Sequence, residues 1–121
     1  MGYTQKTMAS TLRVDDFTMH YIATGLSLAD EDAGRNVFAD DLAPESLAKI
    51  KQECADFQAA NPSVSENSAI AGQDFWLTRN RHGAGFWDGD WEDGDALTQA
   101  AHACGERNLI LGDDGKLHYE S

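Results

Sequence analysis

Fifteen residues, Gln73 to Trp87 (QDFWLTRNRHGAGFW), hold two of the three tryptophans, two of the five phenylalanines, two arginines, a histidine and two glycines. No other stretch of the chain is so dense in large rings, so any core has to be built on it. From Asp74 to Asn80 apolar and polar residues alternate loosely in a run rich in aromatics, which predicts a strand. Phe75, Leu77 and Arg79 would share one face, and Trp76, Thr78 and Asn80 the other. Asn80-Arg81-His82-Gly83 reads as a turn in which Gly83 takes the positive φ. Gly85-Phe86-Trp87 then returns, giving a β-hairpin over 74–88 with Phe75, Trp76, Phe86 and Trp87 in the core. Arg79, Arg81 and His82 form the basic island of the later chain. They either grip an anion or acidic partner, or pair with the protein's own carboxylates.

Upstream, residues 1–13 hold two basic residues, no acids and no clear period, as expected of a flexible arm. Residues 14–121 are expected to form a single domain. Asp15 or Asp16 caps a first helix, whose stripe is Phe17, Tyr21, Thr24 and Leu28 with Ile22 beside it. His20 borders that stripe, and Gly25 is expected to end the helix. Ala29 to Asp41 carries Asp30, Glu31, Asp32, Asp40 and Asp41 and reads as an exposed acidic loop, with Val37 and Phe38 tucked back. Pro44 opens a second helix over 44–60. Leu47, Ile50, Cys54 and Phe57 recur there at helical spacing, so Cys54 faces the core. Asn61-Pro62 stops it. Ser63 to Glu66 fits a capping box for a short helix ending at Ala71, with Gly72 as its left-handed terminus.

After Trp87 the chain reads DGDWEDGD, with Asp88, Asp90, Glu92, Asp93 and Asp95 in eight residues. Calcium favours oxygen ligands at alternating positions, but the EF-hand pattern fails, since Asp93 stands where it needs Gly and Gln99 where it needs Glu. Helix capping accounts for the same acids: Asp90 or Asp95 caps a helix near 91–104 whose buried stripe is Leu97, Ala101 and Cys104. His102 and Cys104 have no second pair of soft ligands nearby, so a zinc site is not expected. Asn108 to Leu111 and Lys116 to Glu120 flank the turn residues Asp113-Asp114-Gly115 and form a hairpin, with Leu117 and Tyr119 on one face.

The expected architecture is α+β. N-terminal helices cover an antiparallel sheet of ββαββ order, made of hairpins 74–88 and 107–120 joined by the helix near 91–104. An open edge strand can also pair between protomers and give a homodimer. With two cysteines and neither a signal-peptide pattern nor a membrane-length apolar run, the expectation is a cytoplasmic chain with reduced thiols, off the membrane.

Nine basic against 21 acidic residues give a formal charge of −12. That balance repels nucleic-acid phosphates, so direct nucleic-acid binding is not expected. No Ser–His–Asp, Cys–His, phosphate-loop or dinucleotide pattern is present, so neither catalytic residues nor a cofactor are expected. The competing enzyme reading is a metal-dependent hydrolase or nuclease using Asp88 to Asp95.

The words QDFWLTRNRHGAGFWD, Gly94-Asp95-x-Leu97 and GDDGKLHY near 112–119 together resemble a family of small proteins encoded in tailed phages and prophages. Members carry a block close to HDFWLTRNGHGAGFWD, an acidic helix start and a closing strand pair around VGDDGK. The resemblance covers roughly residues 41–120. It keeps Arg79, Asn80 and His82 and departs at Arg81, where other members often have Gly. It brings no common reaction with it. It implies a phage accessory protein. Combined with the acidic charge, it points to an inhibitor or modulator of a host nucleic-acid-handling or defence complex, of anti-CRISPR or anti-restriction type. Such a protein acts as a DNA mimic that sets carboxylates against a basic surface. The residues expected to meet the partner are Asp30, Glu31, Asp32, Asp40, Asp41, Asp88, Asp90, Glu92, Asp93 and Asp95, with Arg79, Arg81 and His82.

Overall fold

The computed structural model describes residues 13–88 and 91–121. Most of the expected N-terminal arm (1–12), and Gly89 and Asp90 of the acidic run, lie outside the described residues. Among the described residues, four α-helices and one hairpin carry the fold: α1 (Asp16–Ala33), α2 (Pro44–Ala60), α3 (Ser68–Arg79), α4 (Gly94–Ala103), then β1 (Asn108–Leu111) and β2 (Leu117–Glu120). The class is α+β, as expected. The sheet is not of ββαββ order: among the described residues it is the single antiparallel pair β1–β2.

The missing hairpin is the largest correction. Residues 74–79 belong to α3, and Phe86–Asp88 is one turn of 3-10 helix. The buried positions of α3 are Ala71, Gly72, Phe75, Trp76, Thr78 and Arg79. These recur at steps of three and four, a helical stripe, whereas a strand would have put Phe75 and Trp76 on opposite faces. Seven residues of loose alternation fit both periods. The Phe75 and Phe57 rings stack with centroids 4.1 Å apart, and Trp76 meets Tyr21 edge-on at 5.0 Å. Both neighbours sit on helices, so helix packing decides the period. The helix α1 therefore packs chiefly on α3, and α1 and α2 also meet the C-terminal hairpin. Phe86 is buried with them, but Trp87 is 55% exposed and is not core.

Two glycines expected to end helices lie inside them. Gly25 is buried mid-way along α1, and a Cβ there would sit 2.7 Å from the Trp76 ring. Gly72 is within α3, and a Cβ there would come to 2.0 Å from the Phe17 carbonyl oxygen. They are the contact points at which α1 and α3 cross. The helix α1 runs on to Ala33, so Ala29–Ala33 is helical and not part of a loop. It ends at Gly34, whose left-handed φ of 74° lets its N–H reach the Asp30 carbonyl at 3.0 Å. Leu28, placed on the buried stripe by spacing, is instead 44% exposed.

Three expectations stand. Helix α2 starts at Pro44 and buries Ile50, Cys54 and Phe57. Asp15 caps α1 by accepting from the Thr18 N–H at 2.8 Å. The C-terminal hairpin pairs Leu109 with Tyr119 and Leu111 with Leu117, and it buries Leu117 and Tyr119. Ser63–Glu66 is not a capping box: Pro62–Asn67 is 3-10, and Asn67 caps α3. Cys54 is buried and Cys104, placed in the buried stripe of α4 by spacing, is exposed; both are free thiols. Among the described residues, no helix is long and apolar enough to cross a membrane.

The crossing predicts a sharp asymmetry between glycines. Gly72→Ala should cost about 3 kcal/mol or more, because the obstruction is backbone. Gly83→Ala, with nothing within 4 Å, should be close to neutral. Urea unfolding of both variants checks this, and equal midpoints would contradict the packing described.

Candidate functional site

Three groups of residues were expected to act: the basic island at 79–82, the acids of 30–41, and the acids of 88–95. The structure separates the island. Arg79 falls on the α3 stripe and is 1% exposed, whereas Arg81 and His82 are on the surface. Its guanidinium lies over the Phe75 ring, 5.1 Å from the centroid, as the four-residue spacing on one helix face allows. Nε donates to the Gly105 carbonyl at 2.7 Å, and Nη2 to the Cys104 carbonyl at 2.8 Å. Nη1 donates to Glu53 Oε1 at 2.7 Å and to the hydroxyl oxygens of Tyr21 and Tyr119 at 3.1 Å each. The Tyr119 hydroxyl donates to Glu53 at 2.7 Å, and the two tyrosine hydroxyls are bonded to each other. Arg107 takes the other oxygen of Glu53, at 2.5 Å through Nη2 and 3.1 Å through Nε.

One carboxylate thus holds two arginines. Burial alone would raise the Glu53 pKa, but hydrogen bonds from Arg107, Tyr119 and Arg79 outweigh it and hold the carboxyl below its ordinary value. Burial would lower that of Arg79; Tyr21, Tyr119 and Glu53 outweigh it and keep the guanidinium charged. Both tyrosines are pushed up, chiefly by burial, and stay protonated. A shallow cleft of about 440 Å³, lined by Glu53, Asp56, Ala60 and Cys104 among others, opens beside this cluster. The cluster has no nucleophile beside a base: Cys54 is sealed, and burial raises the thiols of both Cys54 and Cys104. Its chemistry is that of a clamp joining α1, α2, α3, the end of α4 and β2.

Arg81 has no such partners, and its backbone takes φ 60°. The turn therefore places its left-handed residue at 81 and not at Gly83. A glycine is the residue this geometry favours.

Several of the acids are structural. Asp30 accepts from the Val37 N–H at 2.9 Å. Asp41 accepts from the Phe38 N–H at 2.9 Å and meets Arg35 at 3.4 Å. Asp88 accepts from the Gly85 N–H at 3.1 Å, and Asp93 from the Ser63 hydroxyl at 2.6 Å. Asp95 lies in the first turn of α4, beside the positive helix end. Glu31, Asp32, Asp40 and Glu92 are exposed. Asp74, which spacing alone did not mark, accepts from Trp91 Nε1 at 2.9 Å. Burial and the nearby Asp88 charge raise its pKa against that bond. Among the described residues, no three His, Cys, Asp or Glu side chains are grouped to hold a metal ion. Asp90 lies outside them.

A second cleft, of about 610 Å³, runs between α1, the end of α3 and β1. It brings together Asp32 of the expected acidic loop and His82 of the expected basic turn, which sequence reasoning had placed in separate features. No protein-family model matches the chain, and neither a curated protein nor a solved structure does.

Two outcomes are expected of the clamp. Arg79→Met should cost about 3–5 kcal/mol, since it leaves Glu53 and two buried hydroxyls short of a donor. For Glu53 the folded pKa is depressed, so its stabilisation is complete above the ordinary glutamate value of about 4.3 and is lost as pH falls through the lower folded value. Glu53→Gln should therefore be clearly less stable than the parent at pH 7, with a smaller gap at pH 3. Denaturant midpoints at both pH values check this; a gap independent of pH would contradict the charge assignment. At the turn, Arg81→Gly should raise stability by up to about 1 kcal/mol, read as a higher melting temperature.

Proposed function

We propose that this chain is a non-catalytic binding protein. In this reading it modulates or inhibits a host nucleic-acid-handling or defence complex, as an anti-CRISPR or anti-restriction protein would, by setting carboxylates against the partner's basic surface. The observation that carries it is the internal use of three of the arginines. Arg79 is buried and Arg107 half-buried, both on Glu53, and Arg35 is drawn to Asp41. Exposed Glu31, Asp32, Asp40 and Glu92 are left to shape the field of a chain with a net charge of −12. Such a surface repels phosphates and attracts sites rich in Lys and Arg, over a range set by salt. The phage-family resemblance supports the same reading, since the block that carries it includes the buried Arg79. The partner is a protein in the host cytoplasm, not a nucleic acid or a membrane.

The sets of acids differ in what they can contribute. Asp30, Asp41 and Asp88 close local turns and Asp93 holds the distant Ser63, so reversing them would test folding as much as binding. Glu31, Asp40 and Glu92 close no turn among the described residues through their side chains and are the clean positions. Immobilised protein should retain a basic nucleic-acid-handling complex from bacterial lysate at low salt and release it as salt rises or duplex DNA is added. The triple variant Glu31→Lys, Asp40→Lys, Glu92→Lys should lose that partner while keeping its melting temperature. Equal retention by the variant, or no stoichiometric partner at any salt, would overturn the reading.

A further inference from the structure

The two edges of the C-terminal hairpin are not alike. The Gly112 N–H bonds the Lys116 carbonyl at 2.8 Å. With the observed register, this makes Ile110–His118 and Asn108–Glu120 the hydrogen-bonded pairs. The backbone groups of Leu117 and Tyr119 then point off the outer edge of β2, where the chain meets them. The Leu117 carbonyl accepts from the Ala43 N–H at 3.0 Å, and the Tyr119 N–H donates to Ser46 Oγ at 2.9 Å. By the same alternation the N–H and C=O of Leu109 and Leu111 point off the outer edge of β1. No hydrogen bond from a described residue reaches them there.

That edge faces the 610 Å³ cleft, and all four residues of β1 line it. A strand that lines a cleft with every residue in succession presents its edge, not one face. Its four residues, Asn-Leu-Ile-Leu, carry no charge, no proline and no bulge, so shortness is the one blunting device this edge strand has in itself. Ile110 is 49% exposed beside it, and Leu28 on the opposite wall is 44% exposed. The lining includes Asp32 and no lysine or arginine.

We infer that β1 is a docking edge for an extended segment of a partner protein, with apolar and basic residues in alternation. The segment adds as a third strand, exchanging up to four backbone hydrogen bonds with Leu109 and Leu111. Its apolar side chains cover Leu28 and Ile110, and a Lys or Arg meets Asp32. Charge selects this occupant over a second copy of the chain, since two copies at −12 repel and would bring Asp32 to Asp32. The site is distinct from the positions 31, 40 and 92 tested above. It stands or falls independently of whether the partner handles nucleic acid.

The probe is the capped peptide Val-Lys-Val-Arg-Val-Lys, read by amide hydrogen exchange and by titration calorimetry on the full chain. Binding should slow exchange at the Leu109 and Leu111 amides about tenfold or more, while the Ile110 amide, already paired to His118, changes little. The same peptide N-methylated at every amide keeps its charge but has no N–H to donate from either edge, and should not bind. Asp32→Lys should weaken the parent peptide about five- to tenfold without lowering the melting temperature. Equal binding of the N-methylated peptide, protection elsewhere only, or no binding at millimolar peptide would each overturn the inference. So would concentration-dependent protection of Leu109 and Leu111 without peptide, which assigns the edge to a second copy. Exposure of those amides only on removal of residues 1–12 would assign it to the chain's own start.

Discussion

A single guanidinium sets the terms for the interior. Arg79 lies deeper than most of the leucines, and an unpaired charge at that depth costs several kcal/mol. Every hydrogen-bond acceptor it meets comes from another element: a tyrosine on α1, a glutamate on α2, two carbonyls after α4 and a tyrosine on β2. The aromatic rings alone would give a core of the right volume, but rings slide on one another. The fork of the guanidinium admits few alternative partners, and so it fixes which helix lies where. Glu53 is shared with Arg107, which anchors the start of β1 to the same point. The hairpin is thus tied to the helices by charge and hydrogen bonds as well as by Leu117.

Around that point the helices approach closely because two positions carry no side chain. At Gly72 the backbone of α1 fills the place of a Cβ, and at Gly25 the Trp76 ring does. The clamp and the crossing reinforce each other. Tyr21 lies between Phe17 and Gly25 on α1, and Arg79 lies two turns beyond Gly72 on α3. A shift of one helix along the other would break hydrogen bonds and create overlap together.

Much of this was legible in the sequence where the signal was local. Pro44 followed by Leu47, Ile50, Cys54 and Phe57 specifies α2, because the start and the period agree. Asp113-Asp114-Gly115 between apolar runs specifies the hairpin. The Asp74–Asn80 run misled because it is too short to separate a period of 2 from one of 3.6. The residues that decide it, Phe57, Tyr21 and Phe17, are remote. Read at helical spacing, Arg79 falls four residues after Phe75 on the buried stripe, and its burial could have been inferred. Gly25 and Gly72 were misread because a glycine that receives another helix looks the same in sequence as one that ends its own. The acids were legible as a set, but not their division: Asp30, Asp41, Asp88 and Asp93 bond to nearby chain, which composition does not record.

The clamp also orders events during synthesis. Tyr21 and Tyr119 are 98 residues apart, and Glu53 and Arg79 emerge between them. A nascent chain that has just released α3 already carries Arg79, with three of its five hydrogen-bond partners still to come. Until Tyr119 is made, closing α1 to α3 on one another buries Arg79 and Tyr21 short of a partner. Commitment to the native core is thereby deferred to the last strand, and a chain arrested before it exposes its aromatic face to whatever surveys unfinished proteins.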